Sequence, residues 1–295
     1  MRLGEIEINR IEDYHGLGFQ PEQMFPDLRP QMLEAERDWL IPRFYDPASH
    51  RLCTSIHSWL VRTPRRTILI DACIGNHKQR PSIERFHMRN EPWLERLQAA
   101  GARPENVDVV LCTHLHADHV GWNTRLENGC WVPTFPNARY LCGRADFERW
   151  DERRPDFVPR PINENVFADS ILPVLESGQL VLIDEGYVID DGVIVEAAPG
   201  HSPGHLKVRV RAGGEEAIFS GDVIHHPIQL AYPRLCSVFD EDPRAGLETR
   251  LELLAECAQE GLLLLPTHFA QPFWCRLEVR DPDAPAYRPI WPEEV

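Results

Sequence analysis

Between Thr113 and Gly121 the chain reads Thr-His-Leu-His-Ala-Asp-His-Val-Gly, which packs His114, His116, Asp118 and His119 into six residues. Imidazoles and carboxylates at this density suit divalent metal chemistry, against the plainer alternative of a surface histidine cluster. The context decides between the two. The preceding run Val107 to Cys112 is rich in Val and Leu and reads as a buried parallel strand. Ligands would therefore emerge at a strand's carboxyl end, where open α/β sheets place their active sites. His114 and His116 are two apart, so on an extended segment they share one side while Leu115 turns to the core. Asp118 and His119 lie just beyond, where Gly121 lets the backbone turn, and can face a second ion a few ångströms away. A donor set without thiolate favours zinc, with manganese, iron or cobalt as the other occupants of such a set.

Four further stretches carry the same kind of signal. Pro199-Gly200-His201-Ser202-Pro203-Gly204-His205 is a histidine-bearing turn. Ser220-Gly221-Asp222 follows the apolar Ala217-Ile218-Phe219, Pro266-Thr267-His268 follows Leu262 to Leu265, and Asp71 ends the run Leu69-Ile70. With the His-x-His-x-Asp-His line, these stretches make the sequence resemble the metallo-β-lactamase fold superfamily, in that family's order, over about residues 55 to 270. The resemblance implies an α/β fold, a four-layer αββα sandwich. It implies that His114, His116 and His201 hold one metal ion, that Asp118, His119 and His268 hold a second, and that Asp222 bridges both. Asp71 would support the metal loop without touching metal. A hydroxide shared by the two ions would be the nucleophile, and Asp118 would orient it and accept a proton.

Within that superfamily the residues narrow the branch. True β-lactamases of this fold usually lack the bridging carboxylate that Asp222 represents, and flavodiiron proteins have glutamate at the place of His116. The arrangement is most similar to N-acyl homoserine lactonases and related lactone or ester hydrolases, which implies two Zn2+ ions and a small lactone or ester substrate. Those lactonases carry tyrosine three residues after the bridging aspartate, where this chain has His225, followed by His226. His225 is thus either the group beside the substrate that donates to the carbonyl or leaving oxygen, or a plain loop histidine. Two other chemistries use the same motifs: phosphotriester hydrolysis of the methyl parathion hydrolase kind, and persulfide oxygenation on a single iron.

The elements that must hold these groups follow from pattern. Glu5 to Ile11 alternates like a strand, and Ser55 to Val61 pairs with Thr67 to Ile70 around Thr63-Pro64-Arg65-Arg66. Pro92 to Gly101 and Arg144 to Trp150 read as helices, and Pro136 to Leu141 as a short returning strand. From Leu180 the pattern is hairpin-like, with Asp190-Asp191-Gly192 as the turn and Val193 to Ala197 as the strand leading to His201. Leu206 to Arg211 alternates cleanly and turns at Gly213-Gly214. Asp242 caps a helix to Gly261 with Pro243 in its first turn and Leu247, Leu251, Leu254, Ala255 and Ala258 on one face. His57, His77 and His87 match no ligand position.

The motifs run through most of the 295 residues, so a single catalytic domain is expected over 1–295, with 1–50 as an N-terminal arm, 122–161 as an aromatic insert and 270–295 as a proline-rich tail wrapping the surface. The arm's Phe19, Met24, Phe25, Met32, Leu33, Trp39 and Phe44 have three uses open to them: packing on the core, covering a pocket, or joining a second subunit in a homodimer. Arg149, Arg153, Arg154 and Arg160 form a local basic cluster, read as a solvated face, a subunit contact or a seat for an anionic tail. The formal charge of −15 disfavours nucleic acid as a partner. No membrane-spanning run and no signal-peptide core is present, so a cytoplasmic protein is expected. The eight cysteines form no Cys-x-x-Cys pair and read as reduced thiols.

Overall fold

The computed structural model describes residues 1–281 and 284–292. The chain forms two compact units, each discontinuous in sequence: Met1–Asp13 with Ile56–Val195, and Tyr14–Ser55 with Glu196–Val295. Among the described residues no helix is long and apolar enough to cross a membrane.

The first unit is organised by four parallel strands: β1 (Thr67–Ile70), β2 (Val109–Leu111), β3 (Arg139–Gly143) and β4 (Leu180–Ile183). They continue a sheet whose other members, in order from its edge, are Arg2–Leu3, Ile6–Leu17 and Arg51–Arg62, with Tyr45–Asp46 beside the last. Every residue of β2 is buried, as expected of a central parallel strand covered on both faces. Arg51–Arg62 pairs antiparallel with β1, matching the expected hairpin. Leu180–Ile183, expected within a hairpin, instead runs parallel to β3; its register places Leu180 opposite Tyr140 and Ile183 opposite Gly143. Helices Trp93–Ala99 and Arg144–Trp150 form where the periodicity places them. The insert adds a small hairpin, Thr124–Glu127 with Cys130–Pro133. Two members of its basic cluster, Arg153 and Arg154, pair with Asp151 and Asp156, and Arg149 lies over Trp150.

A five-stranded sheet runs in the order Val188–Asp190, β5 (Val193–Ala197), β6 (Leu206–Ala212), β7 (Glu215–Gly221), β8 (Leu263–Pro266). In the second unit β6 and β7 are antiparallel, whereas β7 and β8 are parallel, so that both of the latter end at the same edge. Their connection is the longest helix, α1 (Pro243–Glu260), whose N-cap Asp242 accepts from the Arg244 and Ala245 amides at 3.1 Å each. Its buried face differs from the expected one: Gly246, Arg250, Leu253, Leu254 and Cys257 point inward, while Leu247 and Leu251 are only half-buried. The reason is Arg250, which donates to Pro233 O and Val223 O and approaches Asp240. A residue that reads as solvent-facing by polarity thus occupies the centre of the face.

The arm packs within the second unit. Phe25, Leu28, Leu33, Leu40 and Phe44 share one apolar cluster with Ile228, Leu235 and Ala270. The tail is more ordered than a surface wrap, since β9 (Arg276–Asp281) and β10 (Ala284–Ile290) pair antiparallel. Cys275, Leu277 and Tyr287 are buried with Leu253, Leu254 and Cys257 of α1. Residues 282, 283 and 293–295 of the expected tail lie outside the described residues.

Candidate metal centre

In the first unit the loop after β2 carries His114, His116, Asp118 and His119. Asp71, at the end of β1 with φ +61°, accepts from the Thr113 amide at 2.7 Å and its hydroxyl at 3.0 Å, and binds His119 Nδ1 at 2.9 Å. It supports the loop from behind, as expected. His114 Nε2 lies 2.9 Å from His116 Nδ1, so the two imidazoles do share one side of the segment. Leu115 between them is buried; its amide donates to Asp146 at 2.7 Å and its carbonyl accepts from Asn163 at 2.8 Å. Asn163 also accepts from the Ala117 amide at 3.1 Å. Ala117–Val120 then makes one helical turn, with Asp118 half-buried, His119 buried, and His119 Nε2 3.8 Å from Asp118 Oδ1. Gly121 has an ordinary φ of −59°, so its role is not the freedom to turn. A Cβ there would stand 1.7 Å from Ile74 O, and only glycine allows the segment after Asp71 to lie against the loop. Trp150 closes the other side, its ring edge-on to His116 at 5.3 Å.

The second unit carries His201, Asp222, His225 and His268. His201 sits in the turn after β5, which docks on the start of α1: Gly200 O accepts from the Asp242 amide at 2.9 Å, and a Cβ on Gly200 would meet Gly246 N at 2.0 Å. Asp222 follows β7, and its amide donates to His205 Nε2 at 3.0 Å. His268 follows β8. Its Nδ1 donates to Ser55 O at 3.0 Å, leaving Nε2 3.0 Å from Asp222 Oδ1 and 3.1 Å from Oδ2. Likewise His201 Nδ1 is held by Asp240 at 3.2 Å, and its Nε2 points to Asp222 Oδ2 at 3.6 Å. Burial opposes ionisation of Asp240, but the His201 hydrogen bond and the surrounding positive charge outweigh it, so its carboxyl lies below the usual range.

These hydrogen bonds test whether the residues fit a metal. His119, His201 and His268 each give Nδ1–H to a carboxylate or carbonyl, which is how metal-binding histidines are oriented and made more basic. Their Nε2 atoms are then lone-pair acceptors. In the second unit two such acceptors face the carboxylate of Asp222, an arrangement that is repulsive until a cation lies among them. The donor set therefore fits divalent metal. His225 is fully buried, and burial holds its pKa down at about 3, with the Asp222 charge opposing; His226 is likewise pushed down to about 4. His226 is structural, with Nε2 donating to Phe44 O at 2.8 Å and Nδ1 accepting from the Ile228 amide at 3.2 Å.

Sequence reasoning passed over Asp146, Asn163, His205 and Asp240, which orient the ligands through backbone and ring hydrogen bonds; only the second histidine of the Gly-His-x-x-Gly-His turn carried any signal. Of the histidines set aside, His57 is buried edge-on to Trp59 at 4.9 Å, and His87 Nδ1 accepts from the Arg80 amide at 3.0 Å.

A profile described as Metallo-beta-lactamase superfamily matches residues 51–268. An N-acyl homoserine lactonase of Bacillus cereus is 29% identical over 157 residues, 53% of this chain and 51% of that one. N-acyl homoserine lactonase AiiA of Bacillus thuringiensis subsp. kurstaki is 28% identical over the same length. The chain thus spans about half the length of the curated relatives it matches. Among solved structures, hydrolase AbOPH in the beta lactamase superfamily superposes with a TM-score of 0.80 at 26% identity, covering 100% of this chain and 97% of that one. AidC, described as a dizinc quorum-quenching lactonase, superposes with a TM-score of 0.81 at 21% identity, covering 100% and 97%. These likenesses bear out the expected fold class.

Proposed function

Because the chain belongs to the metallo-beta-lactamase superfamily, we propose that it is a dinuclear zinc hydrolase that opens a lactone or cleaves a carboxylic ester. The observation that carries this reading is the orientation of His119, His201 and His268, each with Nδ1 bonded to the protein, and with the Nε2 atoms of His201 and His268 turned to the Asp222 carboxylate. The family's pattern assigns His114, His116 and His201 to the first ion, Asp118, His119 and His268 to the second, and Asp222 to both. When bound, the ions bring the pKa of water toward neutrality and polarise the carbonyl under attack.

The chain's own residues supply the rest. Asp118, the least buried of the first unit's four donors, is the carboxylate that accepts the proton of the attacking water at Oδ and returns it to the leaving oxygen. Asp71 and Asp240 keep the imidazoles they touch in one tautomer, with the proton on Nδ1 and the lone pair on Nε2. Trp150 covers one face of His116 and keeps bulk water from it. The lactonases AiiA and AidC, which the chain resembles in sequence or in fold, favour a lactone as substrate.

A panel assay tests the proposal. Protein loaded with zinc is offered lactones, aryl esters, phosphotriesters and β-lactams, with metal content measured in parallel. Two ions per chain, with lactone or ester turnover that a chelator abolishes and zinc restores, is the expected result. Turnover of phosphotriesters alone, or one iron per chain with oxygen consumption, would sink it.

A further inference from the structure

We propose that His225 is itself a metal donor, ligating through Nε2 the ion held by His201 and Asp222. This rests on the metal centre proposed above and extends it by one protein ligand, at the position where the lactonase pattern has tyrosine.

Three observations within the second unit carry the inference. First, the His225 ring is 2% exposed, as deep as His201 at 3% and Asp222 at 4%. It lies with the ligands rather than at a mouth where substrate would meet it. Second, among the described residues neither of its ring nitrogens forms a hydrogen bond, whereas both nitrogens of the equally buried His226 do. A buried imidazole with two unsatisfied polar atoms is costly unless something else binds it. Third, the ring is aimed. His225 Nε2 lies 3.4 Å from Asp222 Oδ2, out of hydrogen-bonding alignment, and the corresponding separation for His201 is 3.6 Å. Its ring is 4.8 Å from that of His201 and stacked in parallel with that of His268 at 6.2 Å.

The aim is built into the backbone. Gln229 Oε1 accepts from the His225 amide at 2.8 Å and from the His226 amide at 3.3 Å, while Gln229 Nε2 donates to Leu235 O at 2.8 Å. This buried amide fixes the backbone of the turn after Asp222, and the close packing around the 2%-exposed His225 ring limits its rotation. An imidazole fixed beside a carboxylate, with both ring nitrogens unbonded to protein, presents the kind of nitrogen donor that binds zinc.

The test uses the full chain, stripped by chelator and reloaded with Co2+. The visible bands of bound Co2+ report its donors directly, and competition with a chromophoric chelator reports the affinity for Zn2+. In His225→Ala and in the better-filled His225→Asn, we expect the Co2+ bands to change in position and intensity. We also expect the affinity for one ion to fall more than about a hundredfold, beyond the loss that follows removal of an outer partner. Unchanged bands in both variants, with a native far-ultraviolet circular dichroism spectrum, would overturn the proposal and return His225 to the substrate side or to the loop. The hydrolase reading fails separately: wild-type protein that holds two ions but turns over no ester or lactone would reject that reading and leave this one standing. Wild-type protein that takes up no metal would reject both.

Discussion

At the scale of single residues, the proposed ligand set is written in the sequence wherever its members cluster along the chain. His114, His116, Asp118 and His119 were legible because six residues held them all, and His201, Asp222 and His268 because each follows an apolar strand. Asp222 is the residue on which most depends in the second unit, since two expected ligands, together with His225, point at its carboxylate. Asp222→Ala and His268→Ala are therefore expected to lose an ion and to lower hydrolysis by orders of magnitude. Metal analysis beside turnover checks this, and full metal content with normal rates in either variant would remove them from the ligand set. What could not be read was the direction of a ring. The two readings of His225 differ in where its Nε2 points, which depends on packing around the ring and on a turn held by Gln229, four residues on and without any motif of its own.

At the scale of elements, start and stop signals were legible and inward faces were not. Asp242, Pro243 and Gly261 bound α1 as their chemistry requires, yet polarity alone misplaced its buried face, because Arg250 is satisfied by carbonyls that lie far away in sequence. The Asp242 cap also ties α1 to the His201 turn through Gly200 O. Asp242→Ala is expected to cost about 1 kcal/mol in a thermal or denaturant melt; a loss below a few tenths would show that the cap is not holding the helix. A second junction joins the segment after Asp71 to the insert. Lys78 is wholly buried, donating to Thr124 Oγ1 at 2.6 Å and Asp169 O at 2.9 Å, beneath the ring of Trp131, while Arg80 grips the Asp169 carboxylate. Burial draws the Lys78 pKa from 10.5 down to about 7, against the pull of Asp169 and with the help of Arg80. Between those two pH values the unfolded chain keeps a proton that the folded chain has released. Stability should accordingly rise with pH from about 7 toward 10, by at most about 1.4 kcal/mol per pH unit. Lys78→Met should flatten that slope, and parallel stability curves for the two proteins would refute the assignment.

At the scale of the whole molecule, the formal charge of −15 disfavours polyanions as partners, and motif order named the fold. The division into two units was not legible, because each is assembled from separated stretches of chain and no linker marks the border. A metal bound only by the folded state adds its binding energy to that state. Free Zn2+ at a thousand times the dissociation constant of a site should therefore stabilise the protein by about 4 kcal/mol for that site. Melts of stripped and reloaded protein measure it, and coincident melts would argue that no ion is held. The same discontinuity sets an order in time. The apolar arm around Phe25, Leu28, Leu40 and Phe44 is made early, but Ile228, Leu235 and Ala270, which cover it, are made late. At ribosomal speeds of about 5–20 residues per second, the arm waits roughly 10 to 40 s for its cover. Burial of the arm is therefore a late event in synthesis, because the residues that cover it leave the ribosome in the last quarter of the chain.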